Sequence, residues 1–194
     1  VRHWLHCAHL VVDGKKMSKS AGNFYTLRDV LEQGATGREV RWVLMGTHYR
    51  QSLNFTFQAC RDAKAALGRV DELVRRLKLA QAEAPNGAEP QPFERLAEAE
   101  RAFRESLEDD LNISEALAAL FELVRDLNKA LDAGELPPGR AAAALDQLRA
   151  FDKVLGCLQV DAEETVPQDV LDRAEERQQA RKNRDFARAD ALRD

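Results

Sequence analysis

Cysteine is scarce in this 194-residue chain: Cys7, Cys60 and Cys157 are the only three, and no two form a C-x-x-C pair. That number and scatter exclude a disulfide framework and a four-cysteine zinc site. Reduced thiols in a cytoplasmic protein are the expectation. Long apolar runs are missing too. None approaches the roughly 20 residues that a membrane helix needs, so no membrane partner is expected. The N-terminus carries no signal-peptide pattern. Prolines number only six, and three of them fall within QAEAPNGAEPQP at 81–92, which reads as a linker. The first residue is Val1 and not Met, and the last, Asp194, lies inside a helical pattern, so both ends read as cut.

What is present fits a helix-rich globular chain: 44% apolar and 32% charged residues. The net charge of -4 conceals an asymmetry. Residues 1–78 carry 14 Lys and Arg against 7 Asp and Glu, and residues 79–194 carry 15 against 26. A basic first part points to a phosphate-bearing partner. A solvated mixture of charges is the plain alternative.

Residues 4–12, WLHCAHLVV, lack helical periodicity and end in β-branched valines, which predicts a strand. Asp13-Gly14 makes a turn. Lys15 to Asn23 reads as an exposed polar loop with Gly22 as its hinge. Thr26 and Asp29 resemble a capping box opening a short helix to about Gln33. Glu39–Met45 reads as a second short helix and 46–55 as a connector. From Thr56 a long helix is predicted, because Ala59, Ala63, Ala66, Leu67, Val70, Leu73, Val74 and Leu77 form one stripe at three- and four-residue spacings. Helical patterns return at Phe93–Leu107, Ser114–Ala133, Pro138–Leu158, Pro167–Ala180 and Asp185–Asp194. Asn112 and Glu115 are placed to cap the second of these reciprocally, and Pro138 opens the third. From residue 56 onward the expectation is an antiparallel helical bundle.

The sharpest chemical feature is KMSKS at 16–20. Two lysines three apart on a hinged loop suit a polyphosphate, because each ammonium is a compact charge with three donors. Ser18, Ser20 and the loop amides add further donors. A specified five-residue string arises by chance in a chain this long with a probability on the order of one in ten thousand.

KMSKS followed by AGN resembles the second signature of class I aminoacyl-tRNA synthetases. The flanks narrow the likeness. HWLHCAHLVVDGKKMSKSAGNFYTLRDVL at 3–31, HYRQSLNFT at 48–56, FRESLEDDLNISEALAALFELVRDLNK at 103–129 and ERQQARKNRDFARADALRD at 176–194 are similar, in order, to segments of cysteinyl-tRNA synthetases. The resemblance implies a mainly α chain. A small α/β remnant of a class I, Rossmann-type catalytic domain (1–50) is followed by a connecting helix (51–80), the linker (81–92), a tRNA-binding helical bundle (93–160) and the start of anticodon-proximal helices (161–194). It further implies ATP with Mg2+, tRNA(Cys) and L-cysteine as partners, and a monomer. ATP would be held by Lys16, Met17, Ser18, Lys19 and Ser20, with Lys16 and Lys19 catalytic. The zinc and most of the cysteine site expected in the intact enzyme have no ligands here, so this piece alone is expected to be inactive.

Candidate tRNA contacts are Arg50, Arg75, Arg76, Arg181, Lys182 and Arg184. His48, Tyr49 and Arg50 are also placed to pack at the domain junction. His3, Cys7 and His9 would share one face of the predicted strand, but three ligands on one short strand suit tetrahedral zinc poorly. Asp109 and Asp110 read as loop and helix-start charges. Trp4 and Trp42 read as core anchors, and Cys60 and Cys157 as small apolar fillers, with Cys60, one position off the stripe, partly exposed. Two rival readings stay open: the cysteine ligase of mycothiol biosynthesis, and a non-catalytic tRNA-binding paralogue. The first has the same loop; the second needs only the helices.

Overall fold

The computed structural model describes residues 2–84, 90–162, 176–178 and 188. They divide into two units, 1–160 and 161–194. The predicted helices 167–180 and 185–194 lie outside the described residues but for 176–178 and 188, which are helical. Arg181, Lys182 and Arg184 lie outside them altogether.

The first unit begins with a three-stranded sheet. β1 (Leu10–Val12) pairs antiparallel with β2 (Lys15–Lys16) and parallel with β3 (Leu53–Phe55). Asp13 and Gly14 both take positive φ, 48° and 72°, as a two-residue hairpin turn with the sheet's own twist requires. The 4–12 strand is therefore shorter than predicted. Strands form only where a neighbour offers its ladder, and β3 reaches no further than Leu10. Residues 2–9 are exposed, and Trp4, expected in the core, is 77% exposed. With no strand under them, His3, Cys7 and His9 share no face. Lys15 and Lys16 were read as loop but belong to β2, and the 46–55 connector contains β3.

Helices α1 (Leu27–Glu32) and α2 (Gly37–Met45) both open on full capping boxes, Thr26 with Asp29 and Thr36 with Glu39. α3 (Phe57–Ala82) starts where Thr56 accepts from the Ala59 amide. α4 (Glu94–Glu108), α5 (Ile113–Asp132) and α6 (Pro138–Leu155) complete the unit. Short turns at 109–112 and 133–137 reverse the chain between α4, α5 and α6, so neighbours run antiparallel. The stripe on α3 is buried from Ala63 to Leu77 against α5 and α6. Leu73, Leu77, Leu120, Leu127, Leu145 and Leu148 are wholly buried. Each contributes about 1.5–3 kcal/mol by leaving water. Phe103 stacks on Phe151 with ring centroids 4.2 Å apart, tying α4 to α6.

Three details differ from the sequence reading. Cys60 is buried, because α2 packs over the flank of α3 that the stripe leaves open. Asn112 accepts from the Glu115 amide at 3.3 Å, and the cap runs one way only. α6 stops at Leu155, where Gly156 turns into the left-handed region with φ 63°. Beyond it, Asp152 gathers the amides of Cys157 and Leu158, both at 2.7 Å.

Candidate functional site

The loop after β2 is a closed ring. Asn23 accepts from the Ser18 amide at 2.9 Å and donates to the Lys16 carbonyl at 3.2 Å. The Ser18 hydroxyl takes the Ala21 amide at 3.3 Å, and the Gly22 amide reaches the Lys19 carbonyl at 3.2 Å. Gly22, with φ 68°, is the point at which this ring folds back. Met17 turns inward and packs on the core. It lines a largely apolar concavity of about 650 Å3, with Leu10, Tyr25, Val30 and Leu44 among its walls. One side chain thus anchors the loop while its neighbours stay in solvent.

Lys16 and Lys19 are exposed, on either side of that anchor. Neither makes an ion pair among the described residues. Lys19 Nζ lies 5.4 Å from the centre of the Phe24 ring, whose face attracts the cation without discharging it. Ser18 and Ser20 hydroxyls lie 3.4 Å apart. The loop therefore presents two ammoniums, two hydroxyls and no carboxylate between Lys15 and Phe24. Chemically this is an anion receiver with hinge and anchor built in.

The loop's root is fixed by residues not singled out from sequence. Asn54 on β3 takes the Gly14 amide at 2.8 Å, and the Asp13 amide reaches the Phe55 carbonyl at 3.2 Å. Asn23 and Asn54 were within quoted motifs, yet an amide side chain does not announce which backbone it will hold. On α2, Arg38 Nε donates to the Cys157 carbonyl at 2.5 Å, and its guanidinium chelates Asp71 at 2.5 and 2.8 Å. Arg41 Nε donates to the Leu155 carbonyl, also at 2.5 Å. Two cations of the loop-bearing segment thereby meet the carbonyl end of α6, where the helix dipole favours them. Trp42, buried as expected, meets Phe121 of α5 edge-to-face at 5.9 Å.

Of the arginines proposed from sequence to meet RNA, the three that are described, Arg50, Arg75 and Arg76, have protein partners. Arg50 donates to Asp110 from Nε at 2.6 Å and from Nη2 at 3.2 Å. Arg75 pairs with Glu72 one turn back at 2.7 Å. Arg76 bridges to Asn128 at 2.6 Å and Asp132 at 2.5 Å on α5. Asp110 is a loop charge, as one half of the sequence reading had it, in the α4–α5 turn two residues before the Asn112 cap. Hydrogen bonds from Arg50 and then Tyr49 hold its carboxyl down at about 2, from 3.8. Asp109 instead ends α4.

Comparison with known proteins follows the same division. Residues 1–65 match the tRNA synthetases class I (C) catalytic domain, and residues 102–159 match the DALR domain. The whole chain is 43% identical to a cysteine–tRNA ligase of Protochlamydia amoebophila, 41% identical to one of Chlamydia pneumoniae and 42% identical to one of Leptospira interrogans. It covers 40%, 40% and 42% of those proteins, so it spans about 40% of the length of the curated relatives it matches.

Proposed function

Because the chain belongs to the class I tRNA synthetases, joining part of a type (C) catalytic domain to a DALR domain, we propose that it supplies the ATP-phosphate loop and tRNA-contacting helices of a cysteine–tRNA ligase. That enzyme joins cysteine to ATP, giving cysteinyl-AMP and pyrophosphate, then passes cysteine to the 3′ end of tRNA(Cys). The observation that carries the reading is the pair of exposed ammoniums of Lys16 and Lys19, without an ion pair among the described residues, on a ring closed by Asn23.

In this mechanism Lys16 and Lys19 contact the nucleotide's phosphates. Negative charge grows on the departing pyrophosphate as the α-phosphate is attacked. The ammoniums stabilise that charge more than they stabilise bound ATP, and only such a difference accelerates the step. Ser18, Ser20 and nearby amides add neutral donors. Magnesium would arrive on the nucleotide, since the loop offers it no carboxylate. Among the described residues no group of three or more His, Cys, Asp or Glu is placed to hold a metal ion. The domain roles follow: 1–50 carries the loop, 51–80 connects, and 93–160 with 161–194 meet tRNA. No helix among the described residues is long and apolar enough to cross a membrane.

The test is Lys19→Ala in the full-length ligase. Single-turnover pyrophosphate release should slow by roughly 10²–10³, with cysteine affinity unchanged. An unaltered rate removes Lys19 from the mechanism.

A further inference from the structure

Three consecutive side chains converge on one residue of another element. The Tyr49 hydroxyl donates to Asp110 Oδ1 at 2.5 Å, and Arg50 embraces both Asp110 oxygens. His48 Nε2 lies 3.0 Å from the Asp110 backbone carbonyl. The trio is also stacked on itself. His48 and Tyr49 rings sit 4.9 Å apart at 29°, and the Arg50 guanidinium lies 5.0 Å from the Tyr49 ring centre. On the other side, Asp110 and Leu111 hold φ of 52° and 58°, although neither is glycine. Side chains avoid that region, so the turn needs support; the Leu111 and Asn112 amides supply part of it by donating to the Leu107 and Ser106 carbonyls, and the clasp adds to it.

From this clasp a continuous path leads to the phosphate loop. Arg50 is followed closely by β3, β3 pairs with β1, and Asn54 of β3 holds Gly14 in the hairpin turn that opens into the loop. At the other end, the α4–α5 turn belongs to the segment matching the DALR domain. We propose that Asp110 is a positioning residue: through Tyr49 and Arg50 it fixes the loop-bearing segment on the helical domain, and so sets where RNA held by the helices stands relative to Lys16 and Lys19. The functional half of this statement rests on the ligase reading above; the geometric half does not.

Two measurements separate the halves. In the 194-residue chain, hydrogen exchange is followed in Asp110→Ala, Arg50→Ala and the double variant. Each single variant should speed exchange of the Ala8 and Gln51 amides, which bond to Tyr49 and His48 carbonyls, by about tenfold. Amides of α3 and α5 should stay within about twofold, and the double variant should be no worse than either single one. In the full-length ligase, Asp110→Ala should lower kcat/KM for tRNA about tenfold, leave cysteine-dependent pyrophosphate exchange within about twofold, and be partly rescued by Asp110→Glu. Unchanged Ala8 and Gln51 exchange, or parallel acceleration throughout α3 and α5, overturns the clasp. Loss of tRNA kcat/KM in Arg50→Ala but not in Asp110→Ala also overturns it, by giving Arg50 to the RNA directly. If the unaltered enzyme charges no tRNA, the ligase reading fails while the exchange result still stands.

Discussion

Gly156 is the residue at which helix geometry and the loop-bearing segment meet, and replacing it with alanine tests both. Its φ of 63° and ψ of 32° lie in the left-handed region. An alanine there loses roughly 1–2 kcal/mol relative to glycine from backbone strain alone. The added Cβ would also stand 3.1 Å from Arg41 Nε and 3.2 Å from Nη2. That contact is tighter than most Cβ contacts, so Arg41 must give way by a few tenths of an ångström. But Arg41 Nε is the donor to the Leu155 carbonyl at 2.5 Å, so moving it weakens a charged hydrogen bond by about 1–2 kcal/mol. The expected total is about 2–4 kcal/mol. For a chain of this size, each kcal/mol shifts Tm by about 2–4 °C, which predicts a fall on the order of 4–16 °C.

Urea unfolding and thermal scans of Gly156→Ala give the total. The same substitution in an Arg41→Met background isolates the steric part, since nothing is then left to displace. There the loss should shrink to the backbone share, about 1–2 kcal/mol, leaving a coupling of at least about 0.5 kcal/mol between the two sites. A total under about 0.5 kcal/mol would show that α6 does not end on a left-handed residue. Equal losses in both backgrounds would refute the contact with Arg41.

The clasp predicts a pH dependence with a definite sign. The Asp110 carboxyl is lowered from 3.8 to about 2 in the folded chain, so its share of stability is complete above pH 4 to 5 and vanishes as pH falls through 2. The urea midpoint of the unaltered chain minus that of Asp110→Asn should therefore be flat from pH 7 to about 5 and narrow below pH 4; a gap that widens on acidification contradicts the pairing. The thiols give an independent check. Cys7 is exposed, whereas Cys60 and Cys157 are buried. Burial, and then Asp152, pushes the Cys157 thiol up to about 11, and burial raises Cys60 as well. At pH 7.5 a thiol reagent should modify Cys7 rapidly and the other two only after denaturation. Two or more fast thiols in the native chain would disprove the packing of α2 on α3 and of α6 on its neighbours.

Much of this molecule is written in local terms, and those parts read directly. Thr26, Thr36 and Thr56 act on amides three residues ahead, which is a distance a sequence displays; even so, Thr36 was passed over because the α2 start was placed at Glu39. The α3 stripe was legible for the same reason, since period 3.6 puts Ala63, Ala66, Val70, Leu73 and Leu77 on one side whatever covers them. β1 and β3 were not legible at their true length. A three-residue strand shows no alternation, and its limits are those of its partner. Cys60 was misplaced because its cover, α2, comes from elsewhere in the chain.

The charged residues show the sharper division between what a sequence states and what it withholds. Arg50, Arg75 and Arg76 were chosen as RNA contacts because they are basic and outward on the expected helices and turns. Asp110 reads from sequence as a loop and helix-start charge because it precedes α5. Each residue type was visible and each partner was not, because Arg50 and Asp110 lie 60 positions apart and Arg76 and Asp132 lie 56 apart. A guanidinium already held by a carboxylate releases fewer counterions to a phosphate than a free one, since part of its charge is neutralised before RNA arrives. Lys16 and Lys19 differ physically from these arginines: the stretch from Lys15 to Phe24 holds no carboxylate, and no carboxylate forms an ion pair with them among the described residues. The loop keeps its cations open because its own turn is closed by the uncharged Asn23, so five letters display the two cations, whereas the bonds at the loop's root come from Asn54, 40 positions from the Gly14 amide it holds.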